Sequence, residues 1–164
     1  MREVERTRFV RMRPRELDAL LDPARIVEYE GSFSVDSVTE TDAGTHLTVS
    51  GPGLAFELRF EPIEEGFYYA QAGEAGPFES METWLTVAPE DEGSRVSMRS
   101  VVSLGVPLPF TDRIAAWKRA GELERALDRL ASDGGSIPPG GPTALRRRWL
   151  VCVDATHPRR RCMG

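Results

Sequence analysis

The run TDRIAAWKRAGELERALDRLAS, Thr111 to Ser132, reads as one long amphipathic helix, and the rest of the chain is arranged around it. Ile114, Trp117, Ala120, Leu123, Leu127 and Leu130 recur at three- and four-residue spacing, which places them on one stripe. Arg113, Lys118, Arg119, Glu122, Arg125 and Asp128 fall mostly on the other faces. Pro107 and Pro109 precede the run, and Thr111 or Asp112 can accept the orphan N–H groups of its first turn. Asp133-Gly134-Gly135 supplies the stop. Core packing accounts for such a stripe. Trp117 is the member expected to line a space rather than fill one.

The sequence before the helix switches to a period of two. Arg2 to Arg11 is a weak strand. Arg13-Pro14 opens a short helix that buries Leu17, Leu20 and Leu21, and Asp22-Pro23 breaks it. Ala24 to Tyr29 is a second short helix or turn. Six alternating runs follow. Phe33, Val35 and Ser37 share a face, as do Leu47 and Val49, then Leu54, Phe56, Leu58 and Phe60. Phe67, Tyr69 and Gln71 come next, then Met81, Thr83, Leu85 and Val87, then Val96, Met98, Ser100, Val102 and Leu104. Asp42-Ala43-Gly44, Gly51-Pro52-Gly53, Glu64-Glu65-Gly66 and Glu90-Asp91-Glu92-Gly93 are turns. Short turns make antiparallel neighbours. The expected fold is α+β: a curved antiparallel sheet of about seven strands around a long C-terminal helix, with two short helices after the first strand.

Composition narrows the function. The 164 residues suffice for one domain with one core. Apolar stretches are too short to span a membrane, and Met1-Arg2-Glu3 opens no signal peptide, so a cytoplasmic protein without stable membrane insertion is expected. Residues 1–133 hold 15 Lys+Arg against 25 Asp+Glu, a net −10, which disfavours nucleic acid. Lys118 is the only lysine. Residues 134–164 hold six Arg and one Asp, a net +5. That tail is Gly/Pro-rich and then Arg-rich, and is expected to be a disordered extension beyond a 1–133 domain. Its alternative is a basic arm built on Arg146 to Arg148, Trp149 to Val153 and Arg159 to Arg161. Both cysteines, Cys152 and Cys162, lie in it, so neither a disulfide nor thiol chemistry is expected in the body, and no metal site is expected.

The element order resembles the helix-grip fold of the START-like superfamily, also called SRPBCC. Arg13-Pro14-Arg15-Glu16-Leu17, Asp22-Pro23, Glu92-Gly93-Ser94-Arg95-Val96 and the last helix around Trp117 carry that resemblance. It covers residues 1 to about 133. More narrowly, the chain looks like short SRPBCC proteins of haloarchaea, and the acidic, lysine-poor body agrees. The resemblance implies an apolar cavity between the sheet and the last helix. Superfamily members bind lipids, sterols, quinones, polyketides or hormones, and some, the polyketide cyclase/dehydrase-like proteins, catalyse cyclisations. The superfamily has no shared catalytic motif, so no catalytic residue is carried over.

The expected function is therefore binding of an apolar small molecule, by a monomer or weak homodimer, without a cofactor. The site would comprise Phe56, Leu58 and Phe60, with Tyr69 and Gln71, Met81 and Thr83, and Met98, Ser100 and Val102, facing Ile114 and Trp117. Ser37, Tyr69, Gln71, Glu79, Thr83 and Ser100 are the polar residues sharing parity with apolar inward ones. A cyclase or dehydrase-type lyase using Glu79 or Tyr69 as acid or base is the alternative, since a carboxyl in a dry pocket has a raised pKa. A protein-interaction domain with a filled core is a second alternative. His46 sits beside a turn and is expected on the surface, and His157 lies in the tail.

Overall fold

The computed structural model of the chain describes residues 1–105 and 110–134. The elements run in the expected order. Strand β1 (Arg2–Val10) leads to helices α1 (Pro14–Leu20) and α2 (Pro23–Glu30). Strands β2 (Ser34–Thr41), β3 (Gly44–Gly51), β4 (Leu54–Ile63), β5 (Gly66–Ala72), β6 (Ser80–Glu90) and β7 (Gly93–Ser103) follow, and α3 (Thr111–Gly134) closes the described chain. The strands form one seven-stranded antiparallel sheet in the order β1-β7-β6-β5-β4-β3-β2. From β2 to β7 consecutive strands are neighbours, joined by tight turns except for the longer β5–β6 loop, and β1 crosses to β7.

The short helices start where local chemistry dictates. Proline occupies the first position of each. The Asp22 carboxylate accepts the Arg25 N–H at 2.9 Å, and the Glu16 carboxylate accepts the Arg13 N–H at 2.7 Å. Helix α2 ends on Gly31, whose φ of 72° is the left-handed geometry that glycine adopts without strain.

The period-two runs bury one face. Leu47 and Val49, Phe56, Leu58 and Phe60, Tyr69, Met81 and Leu85, and Val96, Met98 and Val102 are all buried, and α3 lies across them with Leu123, Leu127 and Leu130. Phe60 and Tyr69, directly paired across β4 and β5, stack with ring centroids 4.4 Å apart. Ser37 departs from its expected place. A bulge between Val35 and Ser37 shifts the β2 register by one residue, so Val38 instead of Ser37 lies opposite Leu47, and Ser37 is exposed.

The phase of α3 also departs from the expected stripe. Ile114 is 64% exposed and Trp117 79% exposed. The buried arc is Ala115, Ala116, Arg119, Ala120, Glu122, Leu123, Ala126, Leu127 and Leu130. At 3.6 residues per turn, Ile114 lies about 180° and Trp117 about 120° from the direction of Leu123, the middle of that arc. Ala120, Leu123, Leu127 and Leu130 are inward as expected. Arg119 and Glu122, expected on the other faces, are inward too. Helix α3 continues to Gly134. Pro107, Pro109 and the residues of the tail from Gly135 onward lie outside the described residues.

Candidate functional site

An ion cluster sits inside the molecule, between α3 and the sheet. Glu30 ends α2, and the chain turns at Gly31, so its carboxylate is delivered beneath α3. Tyr69 comes from β5, Thr83 from β6 and Ser100 from β7, the last two being opposed rungs of one ladder. Arg119 and Glu122 are one turn apart on α3. Arg119 and Glu122 are each 2% exposed and Glu30 4%.

Arg119 binds Glu30 in a two-pronged fashion, Nη1 to Oε2 and Nη2 to Oε1, both at 2.8 Å. Nη1 also donates to Glu122 at 2.9 Å, and Nη2 donates to the Tyr69 hydroxyl and to Thr83 Oγ1, each at 3.0 Å. Nε donates to Ser100 Oγ at 3.2 Å. The Tyr69 hydroxyl donates to Glu30, and Ser32 donates to the second oxygen of Glu122 at 2.6 Å. Every nitrogen of the guanidinium and every oxygen of both carboxylates is thus engaged, the condition under which buried charge is tolerated. Burial works against the guanidinium charge, but Glu30 first, with Tyr69 and Glu122, together more than reverse that and raise the Arg119 pKa. Burial pushes the Tyr69 phenol well above its usual value, and the Glu30 carboxylate pushes it further.

A second set of arginines binds the outside of the same junction. Arg125 Nε donates to the Glu30 carbonyl at 3.2 Å, and Arg129 Nη1 to the Glu28 carbonyl at 2.7 Å. These carbonyls are the negative end of α2.

The remaining candidates are scattered. Glu79 is exposed and accepts a hydrogen bond from Ser103 at 3.0 Å. It precedes the β6–β7 ladder, which begins at the Ser80–Ser103 pair, so strand parity does not carry it inward. Gln71 is half-buried and holds the β5–β6 loop, with its amide bonding both the N–H and the carbonyl of Phe78. His46 lies half-buried on β3, opposite Thr39 and Arg59. Among the described residues, no three His, Cys, Asp or Glu side chains converge as a metal site would require.

Among the described residues, little open space lies between sheet and helix. A groove of about 460 Å³ runs between α1 and the β4–β5 hairpin. Leu21, Ile63, Phe67, Val87 and Pro89 make it apolar, and Arg15, Asp18, Glu64 and Glu65 stand around it. Behind Leu21 lies a void of only about 10 Å³, lined by Ile26, Tyr29, Leu85, Met98, Leu127 and Leu130 among others. Leu21 touches both spaces. Of the residues predicted to line a site, Phe56, Leu58, Phe60, Tyr69, Met81, Thr83, Met98, Ser100 and Val102 do come together on one buried face. They are packed, and only Met98 reaches the void. Ile114 and Trp117 face away from it.

Three residues of the cluster, Glu30, Arg119 and Glu122, escaped the sequence reading. The signal available was angular: Ala116, Arg119, Ala120 and Leu123 share one side of an ideal helix, and Ile114 does not.

Solved structures of known proteins share this architecture. TTHA0849 from Thermus thermophilus superposes with a TM-score of 0.61 at 18% identity, covering 80% of this chain and 99% of its own. A STAR-related lipid transfer protein from Xanthomonas axonopodis gives 0.59 at 14% identity, covering 82% and 86%. A START superfamily protein from Mycobacterium smegmatis gives 0.57 at 12% identity, covering 79% and 97%. No family model matches the chain, and no curated protein matches it by sequence. The fold is the START-like helix grip: a curved antiparallel sheet holding a long C-terminal helix. No helix among the described residues is long and apolar enough to cross a membrane.

Proposed function

We propose that this START-like chain binds a small apolar molecule, admitted through the groove between α1 and the β4–β5 hairpin. The observation that carries this reading is the double position of Leu21, which is at once the floor of the groove and the wall of the inner void. The groove is within the size range of small-molecule sites and has an apolar floor. Turning one leucine aside joins it to the space under α3. The α3 end near Arg119 is fastened by charges that are costly to separate in a dry interior, so opening is cheaper at the Leu21 end. A similar fold in a protein named for lipid transfer adds support.

The uncharged fluorescent probe N-phenyl-1-naphthylamine tests the reading. It should bind with enhanced emission. Leu21→Trp should block the passage and abolish that signal, and Leu21→Ala should enlarge the inner space and strengthen binding. Equal binding by all three proteins would contradict the reading. A lipid, a quinone and a polyketide are all compatible with such a site. The lyase alternative rests on Tyr69 and Glu79, which occupy different regions: one is buried and tied to Arg119, the other is on the surface.

A second reading, a protein-interaction domain with a filled core, is favoured by one observation. Ile114 and Trp117 are large and exposed on α3, and Phe110, just before the helix, is exposed as well. On that reading Trp117→Ser would abolish association seen by sedimentation and leave probe binding unchanged.

A further inference from the structure

We infer that the apolar molecule accepted by this chain is neutral or cationic, and that carboxylates such as fatty acids are rejected. The inference rests on the groove-and-void reading above and assigns its ligand class.

The path of entry is flanked by surplus negative charge at both ends. At the mouth, Arg15 stands against Asp18, Glu64 and Glu65, a net −2. The inner end is fixed by the sheet. Leu85 and Met98 are a directly opposed pair that walls the void, and Thr83 and Ser100 are the matching pair two residues deeper along the same ladder. That is about 7 Å farther in, since a strand advances about 3.4 Å per residue. On α3 the same descent leads from Leu127 through Leu123 to Arg119 and Glu122. On α2 it leads from Tyr29, at the void, to Glu30. A molecule that enlarges the void therefore meets the ion cluster with its leading end.

The cluster has nothing to offer an anion. One guanidinium is shared by two carboxylates, a net −1, and all three of its nitrogens already donate. An incoming carboxylate would be stripped of water beside a surplus negative charge, the arrangement that costs most in a low-dielectric interior. A hydroxyl or an ammonium group could instead donate to Glu30 or Glu122, which still have lone pairs free. Tyr29 lines the void with its ring, and its hydroxyl donates to Asp133 at 2.6 Å, another negative charge close by. Arg125 and Arg129 are nearby cations, but both are exposed and engaged with the carbonyls at the end of α2, so water screens them.

The test is competition against bound N-phenyl-1-naphthylamine on the full chain at neutral pH, using 1-dodecanol, dodecylamine and dodecanoate. Dodecanol and dodecylamine should displace the probe, and dodecanoate should be weaker than dodecanol by about tenfold or more, the scale of one unscreened charge. Glu122→Gln should narrow that gap. The double change Glu64→Gln with Glu65→Gln lies at an exposed hairpin tip and cannot upset the core, and it should narrow the gap as well. Dodecanoate competing as well as dodecanol, or a gap unmoved in both variants, overturns the inference while probe binding itself leaves the apolar-site reading standing. Failure of the probe to bind at all overturns that reading and the charge selection with it.

Discussion

The two halves of α3 obey different rules. From Leu123 to Leu130 the inward positions are leucines and Ala126, and the outward ones are Glu124, Arg125, Asp128 and Arg129. From Ile114 to Glu122 the pattern is inverted: isoleucine and tryptophan face out, and Arg119 and Glu122 face in between alanines. A helix is rigid, so its leucine half fixes the rotation of the other half. The polar groups of Glu30, Tyr69, Thr83 and Ser100 wait where Arg119 arrives. Helical rotation here outranks the hydrophobicity of individual side chains, provided that every buried charge finds partners.

The largest effect that would test this contrast is at the buried charge. Arg119→Ala leaves Glu30 and Glu122 uncompensated and should cost about 3–5 kcal/mol in urea unfolding. Replacing the cluster as a whole, with Arg119→Met, Glu30→Gln and Glu122→Gln together, should recover much of that loss. Losses that merely add would show that the three side chains act independently. In the other half, Leu127→Ala should cost about 2–5 kcal/mol by the same measurement, because it removes a fully buried side chain from a packed site. A smaller effect is expected for Tyr69→Phe, about 1–3 kcal/mol, since Glu30 loses one donor and keeps Arg119.

The cluster and the surface tyrosines also set an alkaline limit. The chain has three tyrosines. Burial and the partner Asp133 push Tyr29 up to about 12, burial and Glu82 push Tyr68 up to about 12, and Tyr69 is raised further in. A raised folded-state pKa means that the unfolded chain loses its phenolic protons first. The associated stability is complete below about pH 10, the unfolded value, and is lost as pH climbs through about 12. Spectrophotometric titration should show little phenolate at about pH 10, where a free tyrosine is half ionised. One normal phenolic step there would contradict the tyrosine environments.

Much of this architecture was legible in the sequence. Alternation in β4, from Leu54 to Phe60, marks the strands and the short turns mark antiparallel neighbours, because period and turn length are local properties. Ser37 was misplaced because a bulge inserts one residue without a mark in the pattern. Glu79 was misplaced because parity has meaning only inside a ladder, and that ladder starts one residue later. Hydrophobicity alone points Ile114 and Trp117 inward, whereas the angles around the helix put them elsewhere. Residue type alone points Arg119 outward, because arginine is seldom fully buried without a partner, and its partner Glu30 is 89 residues away. The groove joins α1 to a hairpin tip more than forty residues along the chain, a juxtaposition that no local pattern encodes.

The inverted half of α3 is tested most directly by Trp117→Arg, with its urea midpoint set beside that of the unaltered chain. Arginine is a good helix former, and an exposed position should accept it with a change of no more than about 0.5 kcal/mol. A chain that loses several kcal/mol, or fails to fold, would place Trp117 in the core and contradict the rotation of the helix from which the buried cluster follows.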